Sequence, residues 1–507
     1  MTDPIGTDAA RIRRIEISDF RAFPTSQPAD ILLDGCNLLV FGENGSGKSS
    51  VYRALRELFS LTPQQALDHR NRLDPSSATP DPRVRVTLSD NTQYEWTQAS
   101  HPTAAVYEIA LRSAFLTHTR LREMNYSLDG PRTPPNLFDY AVETFLADYL
   151  TLVSGAGGGG RRTVGELWAD VLATQTKNVR RTERYVRETE EACLRFNDGM
   201  TEALNTLEIH ARPLLKELLS VLAPDGLELI RFNFSPTGYD STKRPAFDGD
   251  ATAIRNRRLT AVVAFGGYEP PVLQDFLNEG RQSALAIAIC LAARRICVPE
   301  GRNQLKLLVM DDLLISMDAS HRRPVLKVIL EQFSDWQIIL LTHDRYWFQL
   351  AREQLKLGDW KTVEIYEHFD KAGLLTPVVR PVPDDMAAAT LEQASKFLDD
   401  HHTAAACNYA RSACEIVLKR ACNKLGVTFQ LPIDDSPPPS LQTLLTKAMN
   451  AANQPHRDFF DTLKALKPHK KFVLNPMSHD PAHPIPRAEV EAAIEAVKAI
   501  SAAYDAI

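Results

Sequence analysis

The 507-residue sequence predicts an α/β fold that is split by a helical insert and followed by an all-α bundle. Three observations predict it. A glycine loop, Gly42-Glu43-Asn44-Gly45-Ser46-Gly47-Lys48-Ser49, joins an apolar strand-like run to a helix-like run. A second apolar run, 305–310, ends in Asp311-Asp312, and Asp311 lies 263 residues beyond Lys48. Past a proline-marked joint, 377–383, the chain reads as helix almost throughout.

Taken in order, residues 11–23 alternate as a strand and lead through Ile31-Leu32-Leu33 to a buried strand at 37–41. Residues 50–61 have the apolar spacing of a helix, so the glycine loop sits at a strand-to-helix turn. Segments 83–96 and 106–116 are expected to add strands, and the glycine run at 155–160 to end the first lobe, 1–160, as a flexible joint. A charged helical insert, 161–225, follows. Breaks are expected at Asn197-Asp198-Gly199 and near Pro213, giving two coiled-coil-like arms of about 25 residues and about 38 Å each. Strands at 227–234 and 258–265 return the chain to a second lobe, 226–380. The bundle, 386–507, is expected to hold helices at 389–397, 404–425, 441–451 and 488–504.

Composition narrows the function classes. A net charge of only −6 means that any nucleic-acid contact has to come from a local basic face. Arg180, Arg181, Arg184 and Arg187 form one such cluster, but Glu183, Glu188, Glu190 and Glu191 interleave with it, as on a solvated helix face. The longest apolar run is far short of the ~20 residues that cross a bilayer, and the N-terminus has no basic segment followed by an apolar one, so a soluble, cytoplasmic protein with no membrane partner is expected. Seven cysteines without a C-x-x-C pair argue against both a disulfide framework and a zinc site. Cys407, Cys414 and Cys422 share a helical face and read as core.

The glycine loop fits G-x-x-x-x-G-K-[ST]. Its chemistry follows from its placement, because backbone N–H groups and the positive end of the helix dipole hold phosphates there. Gly42, Glu43, Asn44, Gly45, Ser46, Gly47, Lys48, Ser49 and Ser50 are therefore the expected ATP-contacting residues. Lys48 is expected to reach the β/γ-phosphates, and Ser49 to ligate Mg²⁺. Leu277-Asn278-Glu279-Gly280 opens an apolar helix about 30 residues before Asp311, again presenting N–H groups to an anion.

Ser316-Met317-Asp318 and, after an apolar strand at 337–341, Thr342-His343-Asp344 complete an order of motifs that resembles ABC-type ATPases. Within them the chain resembles the SMC/RecF-like branch over about 1–380, including an F-R-x-F at Phe20 to Phe23. The resemblance implies ATP and Mg²⁺ as cofactors, Asp311 on the metal's water shell, Asp312 as the base that orients water, and His343 at the γ-phosphate. Asp312 stands where the family usually has glutamate, and Asn278 stands where it has the signature serine. The family's signature, here Asn278 and Gly280, acts on the nucleotide of another subunit, with Asp318 in the D-loop. A homodimer or higher homo-oligomer clamped head-to-tail by ATP is therefore expected. The family's Q-loop glutamine is not evident, and Phe115 to His118 stand about where it would fall.

In the bundle, Arg411 and Glu415 lie one helical turn apart, and His479 follows in Leu474-Asn475-Pro476-Met477-Ser478-His479. This resembles a HEPN-type domain, although no arginine lies within six residues before His479, where Lys470 and Lys471 are the nearest bases. An ATP-gated RNase using Arg411, Glu415 and His479 stands beside the plainer reading of a helix salt bridge and a loop histidine. The whole arrangement resembles the Septu and retron-associated (PtuA-like) ATPase subunits of bacterial anti-phage defence. That likeness implies a sensor that gates a nuclease or other effector partner. A RecF-like DNA-repair ATPase, with nucleic acid as ligand, is the remaining alternative.

Overall fold

The computed structural model describes residues 10–60, 66–73, 81–99, 103–124, 135–155, 160–177, 180–222, 227–269, 277–298, 304–315, 317, 319–355, 358–369, 373–383, 385–429, 439–453, 456–475 and 485–504. The chain divides into two compact units, Met1–Pro381 and Val382–Ile507.

The first unit is built on two sheets. Strands β1 (Ile12–Ser18), β2 (Ala29–Leu32), β4 (Arg83–Leu88) and β5 (Gln93–Trp96) form an antiparallel sheet in the order β2-β1-β4-β5. Strands β3 (Asn37–Gly42), β6 (Ser113–Thr117), β13 (Leu307–Asp311), β14 (Gln337–Thr342), β15 (Trp360–Tyr366) and β16 (Val378–Val382) form the second, in the order β16-β15-β3-β14-β13-β6. From β15 to β6 every pairing is parallel. Covered on both faces, β3, β13 and β14 are apolar almost without alternation, as parallel strands are. Helix α1 (Lys48–Leu58) buries Val51, Tyr52, Ala54, Leu55 and Leu58 in one core with β1, β3, β4, β13 and β14. Gln337 ties the sheets together: its side chain accepts from Ile12 N–H (2.6 Å) and donates to the carbonyls of Ile12 (2.9 Å) and Cys36 (2.7 Å).

Several expectations are corrected. Residues 106–111 are not strand but part of helix α2 (Ala104–Leu111), because Thr103 caps it by accepting from Val106 N–H; only β6 continues as strand. After the short helical turns α3 (His118–Glu123) and α4 (Phe138–Tyr140), an antiparallel pair, β7 (Leu150–Ser154) and β8 (Arg161–Thr163), flanks the glycine run. Gly155 N–H reaches Gly160 O at 3.2 Å, and residues 156–159 lie outside the described residues.

The insert consists of α5 (Val164–Ala173) and a single 40-residue helix, α6 (Glu183–Leu222), rather than two arms. Asn197 does not break α6, since its side chain instead accepts from Thr237 N–H and Oγ1 and donates to Thr237 O. Gly199 packs against the Leu167 side chain, whose Cδ1 would lie 2.5 Å from an added Cβ. Pro213 also lies within the continuous helix. Strands β9 (Leu227–Ser235) and β12 (Arg258–Phe265) pair with each other, and the small hairpin β10 (Gly238–Tyr239) and β11 (Ile254–Arg255) lies between them in sequence. Helices α7 (Glu279–Cys297), α8 (Ala319–Gln332) and α9 (Arg345–Gln354) complete the unit. The proline-marked joint is edge strand β16, where Pro381 is tolerated.

The second unit packs α10 (Met386–Asp399), α11 (Thr403–Lys424), α12 (Leu441–Ala452), α13 (Arg457–His469) and α14 (Arg487–Tyr504) around one apolar core. Helix α13 was not expected. Its apolar face, Phe459, Leu463 and Leu466, ends in Pro468 and a π-helical turn, Lys470–Leu474. Cys407, Cys414 and Cys422 lie in this core, as their spacing implied. Burial pushes the Cys407 thiol up to about 11, and those of Cys414 and Cys297 to about 12. A thiol reagent at pH 8 should therefore label half-buried Cys36 in the native protein, and the six buried cysteines only after denaturation. Counting modified thiols by mass checks this.

Among the described residues no helix is long and apolar enough to cross a membrane.

Candidate nucleotide site

The glycine loop connects the buried end of β3 to α1, and its backbone explains its glycines. Gly45 and Gly47 have φ of +90° and +98°, a left-handed conformation that side chains disfavour. Gly47 is also wedged in, since a Cβ there would meet Ala22 at 3.1 Å and Pro377 at 3.2 Å. At Gly42 a Cβ would lie 2.4 Å from Ser46 Oγ, which is buried and has no hydrogen-bond partner. Helix α1 starts without a side-chain cap, leaving its first N–H groups facing the loop, and Ser49 is exposed in its first turn. Loop N–H groups, an uncapped helix start and an orphaned hydroxyl together fit a phosphate chain.

The parallel sheet brings the distant carboxylates to this loop. β13 is separated from β3 only by β14, so Asp311 emerges at the same sheet end as the loop. Lys48 Nζ donates to Asp311 Oδ1 at 3.0 Å and to Asp312 Oδ2 at 2.6 Å, across 263 and 264 residues of sequence. The three side chains are 5, 11 and 19% exposed, so little solvent screens them.

Asp312 is held from several sides. Its N–H donates to Leu341 O (2.9 Å), and its Oδ1 accepts from His343 N–H (2.9 Å). His343 Nδ1 lies 2.9 Å from Asp312 Oδ2, with no ring N–H aligned on that oxygen. Burial pushes the Asp312 carboxyl up, but Lys48 and His343 outweigh it and hold the pKa below the usual carboxylate value, leaving an anion at neutral pH. Its φ is +54°, a region that aspartate tolerates better than most residues and that glutamate enters less readily. The backbone thus gives a reason for the shorter acid at this position.

Of the other expected residues, Ser50 is buried, and its Oγ accepts from Ala22 N–H (3.4 Å), while Glu43, Asn44 and Gly45 are exposed. Thr117, at the end of β6, is the register partner of Asp311, which places the Phe115–His118 stretch beside the carboxylates. Asn278 caps α7 by accepting from Arg281 N–H (2.9 Å), and Gly280 lies in the first turn. Among the described residues no hydrogen bond or ion pair joins Asn278 or Gly280 to the Lys48 cluster. Ser316 and Asp318 lie outside the described residues.

Sequence reasoning missed Arg322, which donates to the carbonyls of Met317 (2.9 Å) and Ile315 (3.2 Å) and pairs with Asp344. It also missed Arg345, which pairs with Glu364 and lies 4.7 Å from the centre of the Phe41 ring. A basic residue in the turn after Ser316-Met317-Asp318 was the available signal for Arg322.

In the second unit, Arg411 Nε donates to Glu415 (3.1 Å), and its terminal nitrogen donates to Asn475 Oδ1 (3.4 Å). His479 lies outside the described residues.

The fold and the nucleotide loop define an ABC-type ATPase. A family model described as the RecF/RecN/SMC N-terminal domain matches residues 11–362, and the chain belongs to that family. No curated protein matches it. Solved structures with a similar course include an SMC head bound to the C-winged helix domain of ScpA, at 12% identity over 74% of this chain and 99% of that one, with a TM-score of 0.36. An SMC head with extended coiled coil bound to the C-terminal domain of ScpA, from Pyrococcus furiosus, has 13% identity over 77% and 99%, with a TM-score of 0.38. The recombination mediator RecF with ATP has 13% identity over 75% and 100%, with a TM-score of 0.43.

Proposed function

We propose that this chain hydrolyses ATP between two copies arranged head-to-tail, and that the ATP-bound dimer is the signalling state of an anti-phage defence system that gates a partner nuclease or effector. The observation that carries the ATPase part is the convergence of Lys48, Asp311, Asp312 and His343 beside the glycine loop. In this reading the N–H groups of residues 42–50 and Lys48 hold the triphosphate, and Ser49 and Asp311 hold Mg²⁺. Bound Mg²⁺ supplies neutralisation of charge on the phosphate oxygens. Asp312, already anionic, orients the attacking water, and His343 contacts the γ-phosphate. The start of α7 at Asn278 and Gly280 serves the nucleotide of the other copy, with Asp318 completing the D-loop.

The defence role rests on the likeness of the whole arrangement to Septu and retron-associated subunits. Its test is co-purification with the products of adjacent reading frames. The reading expects a nuclease or other effector whose activity changes with ATP. Strong stimulation of the ATPase by DNA, with no partner required, would favour the RecF-like alternative instead.

A second reading has one observation in its favour. Arg411, Glu415 and Asn475 meet in the bundle, just before the segment that carries His479. RNA cleavage by the purified chain, lost in His479→Ala, would support an intrinsic HEPN-type RNase. No cleavage with ATP present would rule it out.

A further inference from the structure

A closed ring of bonds runs behind the carboxylates. Asp312 Oδ1 accepts from His343 N–H (2.9 Å). The next residue, Asp344, caps α9 by accepting from Trp347 N–H through Oδ1 and takes the Arg322 guanidinium on Oδ2. Arg322, 11% exposed, also donates to the carbonyls of Ile315 (3.2 Å) and Met317 (2.9 Å). Ile315 N–H donates back to Asp312 O at 3.3 Å. One side chain thus joins the turn that leaves Asp312 to the loop that carries His343. That turn starts from the left-handed backbone of Asp312, a conformation that persists only where its surroundings hold it.

From this geometry we infer that Arg322, with Asp344, is a positioning residue for hydrolysis: it braces the segment after Asp312 against the loop after His343, so that both groups keep one arrangement. Three donors in a fixed fork are needed, because the acceptors are two carbonyls and a carboxylate in different directions, and a lysine ammonium at the end of a flexible stem does not match them. The brace touches neither Lys48 nor the glycine loop among the described residues, so it acts on the chemical step and leaves ATP binding alone.

The inference rests on the proposed roles of Asp312 and His343, and the experiment separates the two. Steady-state ATP hydrolysis is measured for wild type, Arg322→Met, Arg322→Lys, Asp344→Asn, the double variant Arg322→Met/Asp344→Asn, and Asp312→Ala. Asp344→Asn keeps the helix cap but loses the ion pair, so it reports on the brace if Arg322→Met folds poorly. The expected result is a fall in kcat of about 10- to 100-fold for Arg322→Met, the scale of a displaced catalytic group, with KM for ATP within about threefold of wild type. Lysine should restore little, and the double variant should be no slower than Arg322→Met alone, since both changes break one unit. An unchanged kcat in Arg322→Met and Asp344→Asn, with Asp312→Ala impaired, overturns the brace and leaves the Asp312 assignment standing. A loss that appears as raised KM, or additive losses in the double variant, also overturns it. Unimpaired hydrolysis by Asp312→Ala overturns both.

Discussion

Lys48→Ala is expected to abolish ATP binding and to destabilise the fold. Two carboxylates share the Lys48 ammonium at 3.0 and 2.6 Å, all three groups being largely buried. Removing the cation takes away the only positive charge that reaches both Asp311 and Asp312 within ion-pair distance among the described residues. Breaking such a pair from one side costs on the order of 3 kcal/mol, because the remaining charges stay buried. The variant should relieve this cost by protonation. Without the cation, burial is the largest influence left on the Asp312 carboxyl and pushes it up, so the folded variant holds that proton more tightly than the wild type and loses less stability as pH falls. In the wild type, Asp312 is depressed, and its contribution, present above the unfolded carboxylate range, is lost as pH falls through the folded value. Both effects narrow the gap between variant and wild type on acidification. Thermal unfolding of both proteins from pH 7.5 down through the carboxylate range, to about pH 3, should show the melting difference shrinking; a constant or widening difference would contradict the shared-cation geometry. Nucleotide titration of the same samples should show no ATP binding by the variant.

Asp312→Ala is expected to bind ATP and fail to hydrolyse it, with kcat falling by about 100-fold or more, the scale of losing a general base. Lys48 keeps Asp311 as a partner in this variant, so nucleotide binding should survive. Held in its ATP state, the variant should sediment as a dimer with ATP and dissociate without it. Hydrolysis at the wild-type rate would mean that Asp312 is not the base. Asp312→Glu is informative in the other direction. The longer acid is the family's usual residue, but here it has to occupy a backbone with φ of +54°, so no gain in rate is expected.

How much of this was legible in the sequence depends on how local each cause is. The loop, its strand and its helix were readable because glycines, β3 and α1 are set by adjacent residues. That Lys48, Asp311 and Asp312 share one site followed from motif order, since parallel strands bring distant strand ends together, whereas their direct ion pairs were not foreseen. Gly199 misled because its reason is the Leu167 side chain packed against it, which no local pattern reveals. Residues 106–111 carry β-branched residues that suggest a strand, and the Thr103 cap decided for helix. Arg322 stayed hidden because two of its three acceptors are backbone carbonyls, which carry no residue signature.

The central claim is that the site is completed by a second chain, and complementation tests it most directly. Lys48→Ala removes the phosphate-binding half. Gly280→Asp places an anion at the uncrowded start of α7, where a Cβ meets only Asn278 Oδ1 at 3.8 Å and the helix dipole tolerates an acid. Each variant alone should be inactive. Mixed in equal amounts and allowed to exchange, they should regain about a quarter of the wild-type ATPase rate, since half the dimers then carry one intact composite site. No recovery in a mixture shown to contain mixed dimers, or full activity of Gly280→Asp alone, would contradict the account.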